Sequence, residues 1–361
     1  MEINKIIEKQ FNNVISEEDI NEITERASEF TYGISDSFSI KDILSSTIKG
    51  ESIFNYDQVI YNLKDLLLLE IKDSLVLCVE ILSICIIVGI LKGLSSSFAS
   101  NDTAKISLLV CTMVIIGISI NSFKDTYQIA LDASSIMTNT MELLMPILIG
   151  ILIATGSITS GTILSPMIIG AITLVSFLIK TILLPALFIS TLLTLINCLT
   201  EKNYVNKLAK LIRNLSLWTT GIILVVLTGI ISVQGLLSET SDGILINTAK
   251  YSMSNFIPIV GGFTSDTVEL FIKCMGTIKN VVGIFGIIII VLIMAIPLVK
   301  ILSIALIYKV TAALTEPITD TKITDGLNEI GSTVISMASI VFFNSLLFVI
   351  FITTIINIGG T

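Results

Sequence analysis

Apolar residues fill long stretches of this chain: residues 74–91, 106–120, 162–199, 215–237, 281–314 and 333–357 are nearly free of charge. All but 106–120 reach the ~18 residues that a helix needs to cross the hydrocarbon of a bilayer, so these runs are expected to span a membrane. The abundant Val, Ile and Thr would also suit buried strands. Strands, however, run about 4–8 residues between turn signals, and these runs lack turn signals at that spacing. A closed barrel would need polar residues at alternate positions, which are also absent. Helices remain, because a helix satisfies its own backbone in lipid. The pattern predicts an all-α, multi-pass transmembrane helical bundle.

Composition agrees: 53% of the residues are apolar and 14% charged, against about 25% charged in ordinary globular domains. Charge divides the chain in two. Residues 1–73 carry fifteen acidic and seven basic side chains, so the whole net charge of −8 sits there. That region is expected to be a water-facing, amphipathic-helical domain, with residues 74–361 forming the transmembrane domain. Ile3, Ile6, Ile7, Phe11, Val14 and Ile15 fall on one helical face, and Ser16 with Asp19 suits the start of a second helix. A third, Val59 to Ile71, is expected at the bilayer interface. The acidic surface argues against nucleic acid, whose phosphates it repels. After Met1 comes a polar stretch without the basic and apolar regions of a signal peptide, so export is either directed internally or follows removal of a signal.

The spans repeat. Shifting the sequence by about 112 residues places Val114 on Val226, Gly117 on Gly229, Met141 on Met253, Pro146 on Pro258 and Gly150 on Gly262. Partial copies are read at 74–199, 181–314 and 301–357, with Lys180 and Lys300 in corresponding long runs. Pro146 with Gly150, and Pro258 with Gly261 and Gly262, are expected to break or re-enter the helices. Proline lacks an N–H and disfavours helix at the residue before it, while glycine admits angles that other residues resist. Broken backbone in a membrane must face protein or water, so these positions are candidates for partner docking or a conduit. Asn255, whose amide can pair with freed carbonyls, joins them.

Basic residues near the span ends predict topology. The loops at 92–105 and after residue 199 carry Lys92, Lys105, Lys202, Lys207, Lys210 and Arg213, and both should face the cytoplasm. An N-terminus on the outside, a re-entrant 143–155 and a single tilted helix over 162–199 then give six spans. A turn at Lys180 would give eight. The acidic loop 315–332 runs against its inside placement.

Chemistry is sparse. With no histidine in the chain, histidine-based triads and metal sites are excluded, and no phosphate-loop, nucleophile-elbow or zinc-protease motif is present. No catalytic, metal or cofactor site is expected. The five cysteines, Cys78, Cys85, Cys111, Cys198 and Cys274, mostly lie inside apolar runs without CxxC spacing, as small buried side chains would. Glu80, Lys180, Lys300 and Lys309 fall inside apolar runs. Such residues are functional candidates because an unpaired charge in lipid costs at least ~2.5 kcal/mol, although lysines can also snorkel to the interface.

The run Ser254-Asn255-Phe256-Ile257-Pro258-Ile259-Val260-Gly261-Gly262-Phe263 with Ser265-Asp266 is followed by Ile278-Lys279-Asn280-Val281-Val282-Gly283. Then come Pro297-Leu298-Val299-Lys300-Ile301-Leu302 and Ala305-Leu306-Ile307-Tyr308. This ordered combination resembles the stage III sporulation protein AE family. The resemblance implies a mother-cell membrane component of the channel apparatus that joins mother cell and engulfed forespore and supports late forespore development. It also implies other sporulation membrane proteins as partners, an ATPase subunit among them. Family members usually begin with a secretory signal, from which this chain departs. A self-sufficient secondary transporter with a midplane site at the repeat interface is the alternative reading.

Overall fold

The structure, a computed structural model, describes residues 56–97, 101–200, 204–256 and 261–358. The amphipathic helices expected within residues 1–55 lie outside the described residues. The described chain is helical: α1 (Tyr56–Ser97), α2 (Asn101–Ala154), α3 (Ile158–Phe177), a π turn (Leu178–Leu183), α4 (Leu184–Leu199), α5 (Asn206–Phe256), α6 (Gly261–Thr315) and α7 (Thr321–Asn357). Because α3, the π turn and α4 follow one another without a gap, they act as one long rod.

Six segments are long and apolar enough to cross a bilayer: Leu68–Leu91, Leu109–Ala154, Ile158–Leu199, Asn206–Gly235, Leu270–Thr315 and Thr321–Asn357. The short run 106–120 has therefore become part of a much longer helix. At 54 residues, α2 extends ~80 Å, against a hydrocarbon thickness of ~30 Å. Likewise, Val59 to Ile71 and the first span share α1.

One expectation is corrected here. Residues 143–155 do not re-enter, and Pro146 does not break its helix: α2 runs through it to Ala154. The reason lies in the packing around it. Proline removes one intrahelical donor, but Leu144, Met145, Leu148, Ile149 and Leu152 are buried on either side and hold the helix against the core. The chain turns instead at Thr155–Ser157, where Gly156 takes a φ of 90°, a left-handed conformation that suits glycine. Pro258 falls in 257–260, outside the described residues, so its supposed match with Pro146 has nothing to be compared with. Asn255 is in the last turn of α5, and Gly261 and Gly262 open α6.

Packing makes α6 the central element, in contact with α1, α2, α5 and α7. It lies closest to α7, where an added Cβ at Gly283 would strike Ile356, and one at Gly331 would meet the Ala305 carbonyl, Tyr308 and Lys309. Small residues at such crossings let helix backbones approach, as in membrane bundles generally. Tyr308, fully buried, donates from its hydroxyl to the Ser119 carbonyl at 3.2 Å and so joins α6 to α2.

The end of α4 and the start of α7 meet at one end of the bundle, with α1 beside the connection that precedes α7. Lys322 Nζ donates to the Thr200 carbonyl, Cys198 Sγ to the Lys322 carbonyl, and Gly89 abuts Ile318. The expected acidic loop 315–332 is in fact a short connection at 316–320 followed by the first turns of α7, and that connection lies against α1 and the end of α4. At the opposite end, Lys279 Nζ donates to the Ile358 carbonyl at the end of α7.

Candidate functional site: a polar stripe at membrane depth

Most outward faces of the bundle suit lipid. On α5 the exposed side chains include Leu211, Leu215, Trp218, Ile222, Val225 and Val233, and on the α3–α4 rod Leu174, Phe177, Ile182 and Ile189. The beginning of α2 follows suit with Ile106, Leu109, Val110, Met113 and Val114. Then the helix changes character. Among the described residues no large apolar side chain of α2 is exposed again until Ile153. In between, the exposed positions are Gly117, Asn121, Lys124, Asp125, Gln128, Glu142, Pro146 and Gly150, with Asp132, Ser135 and Asn139 half-buried. Steps of three and four keep them on one face.

Neighbouring contacts place the first half of this stripe beside the α3–α4 rod. Lys180 Nζ donates to Ser135 Oγ at 3.2 Å, and Phe188 packs its ring 5.8 Å from Phe123 and 5.3 Å from Tyr127. Residues 123–135 therefore lie beside 180–188, the part of the rod that exposes Ile182 to lipid. The stripe is a polar face at the height of an apolar one. Within it Gln128 Nε2 donates to Asp132 Oδ1 at 2.8 Å. Behind it a buried polar pair forms, Asn344 Nδ2 of α7 donating to Ser134 Oγ at 3.3 Å.

Lys180 reaches the stripe from an unusual backbone. At the end of the π turn, Leu184 N–H donates to the Ile179 carbonyl, five residues back. Pro185 follows, and its missing N–H leaves the Thr181 carbonyl without the donor an α-helix would supply. Insertions of this kind occur often at functional sites. Glu142 lies near enough to interact favourably with the lysine charge.

Lys300 is engaged elsewhere. It pairs with Glu70 of α1 at 3.3 Å, so the two lysines matched in the repeat have separate partners on separate helices. Pro146 and Gly150 belong to the stripe. Glu329 of α7 receives both Lys210 (2.8 Å) and Arg213 (2.6 Å) of α5.

Outside the spans, Asp242 of α5 is 3% exposed and accepts from the backbone N–H groups of Thr159 and Ser160, both at 2.8 Å. It supplies to the start of α3 the acceptor that Ser157, whose side chain makes no cap bond, does not. Burial works to raise its pKa, but the bonds from Ser160 and Thr159 outweigh it and hold the carboxyl below its ordinary value. No cluster able to hold a metal ion occurs among the described residues.

The stripe escapes a linear reading because 124–142 looks like a polar segment between spans. Its signal is nonetheless present in the three-and-four spacing from Asn121 to Gly150.

These features define a multi-pass helical membrane protein that bears a polar lateral face on α2. The chain belongs to the stage III sporulation protein AE family, whose profile matches residues 38–359. Over 322 residues it is 31% identical to the stage III sporulation protein AE of Bacillus subtilis (strain 168), covering 89% of this chain and 81% of that protein. No solved structure matches the chain. Its role therefore lies in sporulation.

Proposed function

We propose that this sporulation protein is a non-enzymatic subunit of a transport or secretion-like channel complex in the mother-cell membrane facing the forespore. The carrying observation is the α2 stripe. A face bearing Lys124, Asp125, Asp132 and Glu142 cannot rest against hydrocarbon, so it lines water or packs on protein. No phosphate-binding motif is present in the sequence, so energy comes from a partner such as an ATPase subunit, or from an ion gradient. Asn255, Pro258, Gly261 and Gly262 remain candidates for docking other subunits. Lys180 and Lys300 meet different helices, which favours this reading over the self-sufficient transporter with a midplane site at the repeat interface.

The test replaces Gln128 and Glu142 with leucine. The variant should insert at normal abundance while sporulation stops after engulfment, and normal spore yield from a stable variant refutes the conduit reading. Co-purification from sporulating cells should recover other sporulation membrane proteins with the wild-type chain.

A further inference from the structure

A second feature of the lateral surface adjoins the stripe and shares Gly117, Asn121 and Asp125 with it. Between α1 and α2 lies a groove of about 560 Å³, walled by Val76, Leu77, Ile118 and Ile304, into which Glu80 and Asp125 open. Glu80 sits midway along the Leu68–Leu91 span, and exposed Val76, Val79, Ile86 and Ile87 surround it on α1. Neither carboxylate has an ion-pair or hydrogen-bond partner among the described residues. A carboxylate at the middle of a bilayer needs a cation.

The same chain offers one at the same height. Lys309 of α6 donates to Asn328 Oδ1 at 2.9 Å and Ser332 Oγ at 2.7 Å, both uncharged. It emerges among exposed Leu306 and Val310, on the side of α6 facing α7. Thr311 points the other way, donating to Cys78 of α1. Since Glu70 meets Lys300, Cys78 meets Thr311 and Gly89 meets Ile318, α1 and α6 run parallel in fixed register. That register puts Glu80 within about one helical turn, ~6 Å, of the height of Lys309.

We propose that the α1–α2 groove receives the Lys309 face of a second copy of this chain, with Lys309 of one copy pairing with Glu80 and Asp125 of the next. Copies inserted in the same orientation are related by rotation about the membrane normal, so matching heights within one chain are matching heights between chains. A contact of groove on groove would oppose Glu80 with Glu80, which like charge disfavours. The groove and the Lys309 face are different patches, so the contact is heterologous and repeats around a ring or along a filament. The inference rests on the membrane placement of the bundle and not on the conduit reading. The stripe substitutions above leave Glu80 and Lys309 untouched, so each idea fails by itself.

The test uses two differently tagged full-length copies co-expressed in membranes, with capture through one tag and detection of the other. Glu80→Lys or Lys309→Glu in both copies should lower co-capture about tenfold or more, and the doubly reversed chain should recover most of it. Glu80→Gln, a milder change, should lower capture in the same direction should Glu80→Lys fail to insert. Self-capture unaffected by either reversal overturns the proposal, as does a normally inserted double reversal without recovery. It is overturned as well by a wild-type chain that never captures itself. Loss of a different sporulation membrane protein on charge reversal, with self-capture intact, assigns the groove to that protein instead.

Discussion

Between Leu211 and Val233, α5 turns leucine, isoleucine, valine and a tryptophan outward, whereas α2 between Asn121 and Gly150 turns outward asparagine, lysine, aspartate, glutamine, glutamate, proline and glycine. Averaged along the chain the two spans differ little in hydropathy. What separates them is direction. In the most apolar 18-residue stretch of each span 17% of the α5 residues are buried, against 56% of those in α2, so α5 presents its apolar residues to lipid and α2 presents them to the core. Mean hydropathy therefore says that a helix belongs in a bundle at membrane depth, and the three-and-four placement of its polar residues says what its outer face meets. α5 meets lipid. α2, of the same character on average, demands water or protein.

The sharpest break of this contrast is to place the same charge on both faces. Val225→Asp sets a carboxylate on the lipid face of α5 and should cost ~2.5–3.5 kcal/mol, the penalty for aspartate at a span centre. Membrane-fraction abundance should fall several-fold. Gln128→Asp on the stripe should leave abundance within about twofold, because that position already sits among charges. Equal losses from both variants would show that lipid covers the stripe after all.

A smaller effect comes from the polar contact that secures the end of the bundle away from the loops. Asp242→Asn keeps an acceptor for Thr159 or Ser160 but removes the charge at the start of α3, for an expected cost of about 1–2 kcal/mol. Unfolding of the detergent-solubilised protein reads it. Because the Asp242 pKa is lowered on folding, its stabilisation is fully present above the unfolded value of about 3.9 and is lost as pH falls through the lower folded value. Wild type and variant should therefore differ by a constant amount from about pH 5 to 8 and converge only in stronger acid. A difference that shrinks near neutrality would mean that Asp242 is not the charged cap described here.

The bundle was legible in the sequence because lipid enforces it: six apolar runs became six spans, and the undivided 162–199 run became one rod. Proline placement misled. Pro146 is the kind of residue that ends helices in isolation, yet flanking core contacts override the loss of one hydrogen bond, and no local rule carries that information. Counted from residue 74, where the apolar run begins, Glu80 falls near the start of its span. In the structure the helix that carries it, α1, runs from Tyr56 to Ser97, so Glu80 lies well inside a continuous helix. The partners of Lys180, Lys300 and Asp242 come from other helices, 45 residues away for Lys180 and 83 for Asp242, and a one-dimensional pattern cannot pair them.

The finest distinction between the two kinds of face lies at Lys180, which belongs to a lipid-facing rod yet serves the polar stripe. The π turn accommodates one extra residue relative to an α-helix, and that residue sets the angle at which Lys180 leaves the rod. Pro185→Ala restores an N–H that can reach the Thr181 carbonyl and so removes a reason for the α-register to be interrupted. Collapse of the turn would rotate Lys180 by ~100°, the angle of one residue, away from Ser135 and toward lipid. Stability should rise slightly, by about 0.5–1 kcal/mol. The readout is Lys180→Cys probed with a water-soluble thiol reagent and compared with the parent, whose five native cysteines give the background. With Pro185 intact the new thiol should react from the stripe, and adding Pro185→Ala should lower labelling several-fold. Unchanged labelling would mean that packing of the buried Ile179 and Leu183, and not the proline, holds the turn open.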